Sequence, residues 1–148
     1  MHRGYWLGPA LFFGAGAAMA AAVTPVQASE REVQTVQCVA ALDASTRELA
    51  AQVKNGQPEL RELLLGRLKS GVAFTGTAYL SGERDEQRTK ALLDSALETQ
   101  KALPEREMAA RQAACEVEGT RLLAGASALE KALVSRVAAK RMQRLLAE

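Results

Sequence analysis

Apolar residues recur along this chain at spacings of three and four, the period of a helix face, from Glu30 almost to the last residue. The first run, about Glu30 to Lys54, carries Cys38, Leu42, Ser45, Leu49 and Val53 on one stripe, with Asp43 and Arg47 as an i, i+4 pair on another face. Asn55 and Gly56 end it, since both tolerate the left-handed conformation of a C-terminal cap. Pro58 suits the first turn of a second helix, where its missing N–H is not needed. That helix carries Leu60, Leu64, Leu68, Val72, Thr75 and Tyr79 on its stripe and ends at Ser81 and Gly82. A third runs from Arg84 or Asp85 to Leu103, with Leu93, Ala96, Leu97, Gln100 and Leu103 along one side. Pro104 separates it from a fourth, whose seam is Met108, Cys115, Gly119, Leu122, Ala126, Leu129 and Leu133.

Two stretches depart from this regularity. Between Lys69 and Glu83 lie thirteen residues without a charge, SGVAFTGTAYLSG, whose Gly and Thr weaken a helix while Phe, Thr, Tyr and Val favour a strand. A lone strand would find no partner elsewhere in the chain, so the helix reading is kept. The second is the tail. Four antiparallel helices rising about 1.5 Å per residue reach the end of the bundle near Gly125. The residues beyond it either fold back as a fifth helix or project. Their apolar side is Val134, Val137, Ala138, Met142, Leu145 and Leu146. From Arg121 onward six basic residues, Arg121, Lys131, Arg136, Lys140, Arg141 and Arg144, face only Glu130 and Glu148.

Both cysteines, Cys38 and Cys115, fall on apolar stripes, and helix lengths bring them to the same level of an up-down bundle. Their separation excludes a C-x-x-C redox or haem-attachment motif, so they are expected as one structural disulfide. Closing so long a loop is worth about 4.5 kcal/mol in chain entropy, and usual values are about 2–4 kcal/mol.

Such a bridge needs an oxidising compartment, and the first residues supply a route to one. A basic start (His2, Arg3), nineteen uncharged residues from Gly4 to Ala22, and Pro25 with small Val26 and Ala28 read as an export signal cut between Ala28 and Ser29. An uncleaved membrane anchor is the competing reading. No Cys stands after the cut to take a lipid, and no twin arginines precede the apolar run.

Removing residues 1–28 changes the chemistry available. His2, Tyr5, Trp6, Phe12 and Phe13 leave with them, so the remaining domain, residues 29–148, has no His or Trp and only Phe74 and Tyr79 as aromatics. Imidazole is the commonest general base and a frequent ligand of zinc and iron, so no metal, cofactor or catalytic residue is expected, and the protein is read as no enzyme. Carboxylate pairs such as Glu59 with Glu62 are ordinary helix surface. Gly66, Gly71 and Gly76 lack the Lys and Ser or Thr of a phosphate loop, and either allow close helix approach or mark a loose segment. Eighteen basic against seventeen acidic side chains leave no surplus for nucleic acid. Asn55, the only Asn, is followed by Gly56 and Gln57, so there is no glycosylation acceptor, which favours a bacterial envelope.

The sequence therefore predicts an exported all-α protein, an up-down four-helix bundle with or without a fifth C-terminal helix, pinned by Cys38–Cys115. It is expected to bind another protein, a second copy included, in the periplasm or cell envelope, as an inhibitor, immunity protein or chaperone would. Carriage of a small apolar ligand between helices near Phe74 and Tyr79 is the alternative. Candidate binding residues are Phe74, Thr75 and Tyr79 in the uncharged stretch and Arg136, Lys140, Arg141 and Arg144 on the tail, whose docking to an anionic membrane surface is a third possibility.

Overall fold

Ser29 starts the first helix. Its hydroxyl accepts from the Glu32 N–H at 3.1 Å and its own N–H donates to the Glu32 carboxylate at 2.5 Å, a capping box that satisfies two otherwise free groups. In this computed structural model residues 28–80 and 85–148 are described; apart from Ala28, the expected export segment lies outside them, as does the expected helix end at Ser81 and Gly82. Helix α1 spans Glu30–Lys54 and closes on Asn55, whose N–H donates to Ala51 O at 2.9 Å, with Gly56 at a φ of 99°. That left-handed turn is why glycine stands there. Pro58–Leu60 forms one tight 3-10 turn, and α2 (Arg61–Leu80), α3 (Glu86–Lys101), α4 (Glu105–Gly125) and α5 (Ala128–Ala147) come after it. Among the described residues the protein is an all-α bundle of five helices pinned by one disulfide, the expected bundle with its fifth C-terminal helix present, and the uncharged stretch is helical through Leu80.

Helix α1 is the axis of the bundle, packed by all four of the others. Ala40, Ala41 and Leu42 are consecutive and buried, which a helix with a single buried face does not allow. The alanines let neighbours approach from several sides. Helix α2 lies antiparallel to α1: Arg67 donates to Ser45 and Gly71 approaches Leu42. Around Cys38 and Cys115 pack Ala41, Leu42 and Phe74, while a second cluster gathers Leu49, Ala50, Leu64, Leu68 and Ala138 under α5. Burying a Leu is worth about 1.5–3 kcal/mol, so the second cluster helps to hold α5 against α1 and α2. Helix α3 is attached through α1, by Val36, Ala40 and Ala96, by an Arg88–Glu32 ion pair of 2.7 Å, and by Gln100, which donates to Gln37 O at 2.8 Å.

The chain after Gly125 folds back. Ser127 caps α5 with a second capping box, its N–H donating to the Glu130 carboxylate at 2.7 Å. Hydrogen bonds from the Ser127 hydroxyl, then from its backbone N–H, hold the Glu130 carboxyl below the usual carboxylate range. A depressed folded pKa gives a contribution that is complete above the unfolded value and lost as pH falls through the folded one. The start of α5 is therefore expected to fray on acidification, with amide exchange at Ala128–Lys131 rising below the normal titration of glutamate. Ser127→Ala should remove about 1 kcal/mol and reduce that pH dependence, the backbone N–H at 127 remaining.

The glycines of α2 are not close-approach sites. No atom would lie within 4 Å of a Cβ at Gly66 or Gly76, and only Leu42 Cβ, at 4.0 Å, meets one at Gly71. Gly66→Ala is expected to stabilise the protein by about 0.5–1 kcal/mol in urea unfolding through helix propensity alone. A loss there would mean that the glycine has a packing role.

Candidate functional site

Helices α4 and α5 both lean on α2 but have little contact with one another, and the chain turns between them at Ala126 and Ser127. Along α4 the contacts move from α1 to α2: Cys115 is bonded to Cys38, Gly119 lies against Ser70, and Leu122, Leu123 and Ala126 face the C-terminal half of α2. On α5, Leu133, Val134 and Val137 face the same half. Between them opens a groove of about 530 Å³, floored by Val72, Gly76, Thr77 and Leu80.

The chemistry of this groove is almost wholly apolar. Thr75 and Thr77 turn their hydroxyls onto Gly71 O at 3.1 Å and Ala73 O at 2.9 Å, so their protons are already engaged. Among the described residues Glu130 is the one ionisable residue of the lining, and its carboxylate is held in the Ser127 cap. Leu80 is 71% exposed, Leu133 52% and Val137 48%. Apolar lips this open are a surface that another apolar surface would cover. No family model, no curated protein and no solved structure matches this chain. The groove itself is therefore the ground for a functional reading.

The uncharged stretch is the floor of this site, and its composition reflects its surroundings. Ser70 meets α4, Phe74 meets α1 and the disulfide, and Thr75 lines both this groove and a more polar one of about 550 Å³ on the α1 and α3 side. A charge placed at the buried positions Ser70, Ala73 or Phe74 would be desolvated.

The residues picked out by sequence divide. Thr75 lines the groove, whereas Phe74 is in the core at 4% exposure and does not reach it. The side chain of Tyr79 lies outside the described residues. Arg141 reaches from α5 to Asp43 of α1, where Asp43 also takes Arg47 at 2.9 Å; it fastens α5 to the bundle. Arg136, Lys140 and Arg144 form no ion pair among the described residues, and all three are exposed. Sequence reasoning did not assign Leu80, Leu122, Leu133 or Val137 to a site. Their periodicity marked Leu122 and Leu133 as core seam and Val137 as the tail's inner side, and periodicity carries no information on where two helices part. Among the described residues there is no cluster of His, Cys, Asp and Glu that would hold a metal, and no helix is long and apolar enough to cross a membrane.

Proposed function

We propose that this is an exported, non-catalytic protein that binds another protein by receiving an apolar helix face in the groove between α2, α4 and α5. The observation that carries the reading is that three exposed apolar side chains, Leu80, Leu133 and Val137, border one apolar groove, whereas exposed Val117 and Leu63 do not line it. Export through a signal cut after Ala28 agrees with a formed disulfide and with α1 beginning at Ser29, whose N–H already points at Glu32. Cleavage there would turn that N–H into an ammonium facing a carboxylate.

A photo-crosslinking residue at position 133, in protein produced in its own compartment, tests the reading, with the same residue at position 91 on the far helix α3 as control. A discrete polypeptide captured at 133 and not at 91, and lost with Val137→Asp, is the expected result. An adduct of small-molecule mass would instead support the carrier alternative, for which the volume of the groove is suitable. Its open lips speak against carriage, since carriers enclose most of a small ligand. No adduct at 133 from that compartment sinks both. The mass of the recovered protein also tests the cut between Ala28 and Ser29.

A further inference from the structure

Along α5 the residues Leu133, Val137, Lys140 and Arg144 succeed one another at steps of four, three and four, so they form a single ridge on the solvent side of the helix. Its first half is the apolar lip of the groove and its second half is cationic. Arg136 flanks it one turn from Lys140. All three cations are without an ion-pair partner among the described residues, and no Asp or Glu stands three or four residues from Arg136 or Lys140. Like charges at i, i+4 on a helix repel, as Arg136, Lys140 and Arg144 do along this face, with Glu148, four residues beyond Arg144, the one carboxylate at helix spacing from the row. By contrast, the Arg141 of the same helix is neutralised by Asp43.

Resting on the proposed docking in the groove, we infer that the occupant is an acidic amphipathic helix that lies along α5, with its apolar side over Leu133 and Val137 and its carboxylates over Lys140, Arg144 and Arg136. The basic row extends about 12 Å along the helix, a length that two or three turns of a partner can match. Glu130 sets the direction, because its carboxylate stands at the apolar end and repels an acidic segment laid the other way round. A second copy fits poorly: two-fold pairing along α5 would bring basic row against basic row if the helices ran parallel, and basic row over the apolar lip if they ran antiparallel. Nucleic acid would leave the apolar half of the ridge bare, and a lipid chain would remain largely wet between lips as open as these.

Three synthetic helical peptides test this. They share one leucine face over their first half and differ in carrying Glu, Gln or Lys over the second. In fluorescence anisotropy with the disulfide-bonded protein, the Glu peptide is expected to bind about tenfold more tightly than the Gln peptide at low salt, and the Lys peptide most weakly. The advantage should collapse in 0.5 M NaCl, where the screening length shortens to about 4 Å. Lys140→Glu with Arg144→Glu should invert the order, and both positions are exposed, so an unchanged melting curve confirms that the fold survives. Equal binding of the Glu and Gln peptides overturns the acidic partner while leaving the groove reading intact. No binding of any peptide, or binding indifferent to Leu133→Asp, overturns both. Association with phosphatidylglycerol vesicles in preference to the Glu peptide overturns the proposal in favour of a membrane surface.

Discussion

The Cys38→Ala/Cys115→Ala double variant is expected to melt about 10 °C below the oxidised parent. The bridge joins residues 77 apart in sequence, with Cα atoms at 5.2 Å. Removing it restores to the unfolded chain an entropy worth about 4.5 kcal/mol, of which about 2–4 is ordinarily realised. For a domain of this size about 1 kcal/mol corresponds to roughly 4 °C. Both half-cystines are buried, at 6% and 4% exposure, against Leu42 and Phe74, so alanine also leaves a small void. The effect is not confined to global stability. The bridge fastens α4 to α1, and α4 carries the Leu122–Ala126 wall of the groove. Reducing the parent with dithiothreitol should reproduce most of the shift and weaken any groove ligand together with it. A reduced parent and a double variant that both melt within a degree of the oxidised protein would show that the bridge is dispensable.

Much of the fold is legible in the sequence because caps and stripes are local. Asn55 with Gly56, Pro58 and Pro104 each mark a boundary through their own backbone chemistry; the structure ends α1 at Asn55 and starts α4 after Pro104, while Pro58 opens a 3-10 turn ahead of α2. Cys38 and Cys115 could be paired because both sit on apolar faces at a level that helix rise fixes. Whether the tail folds back or projects was left open by the same pattern, since an amphipathic helix looks alike in either case. Leu145, Leu146 and Ala138 decide it only by meeting Leu49, Leu64 and Leu68. The site was legible in part. A run without charges drew attention to Ser70–Leu80, but its aromatic Phe74 proves to be core. The groove lies where α4 and α5 part over α2, and α4 is seated on α2 by a contact between residues 49 apart, Ser70 and Gly119, which no local pattern announces.

That contact leads to the second large effect. A Cβ built on Gly119 would lie 2.5 Å from Ser70 Cβ and 3.0 Å from Ser70 Cα, and the backbone atom has no flexible end that can move aside. Glycine inside a helix costs about 1 kcal/mol relative to alanine, so its presence in the middle of α4 requires a packing reason, and this approach supplies it. Gly119→Ala is expected to lose about 1–2 kcal/mol despite the gain in propensity, and Gly119→Leu about 3 kcal/mol, because α4 must lift from α2. The damage should spread to the groove, whose α4 wall begins one turn later at Leu122. Urea unfolding of Gly119→Ala in the Ser70→Gly background separates the contact from general disturbance. With the opposing Cβ gone, alanine at 119 should recover more than half of its loss, a coupling that independent sites would not show. If Gly119→Ala is neutral or stabilising on its own, the two helices are free to separate, and the shape of the groove is not set by Gly119.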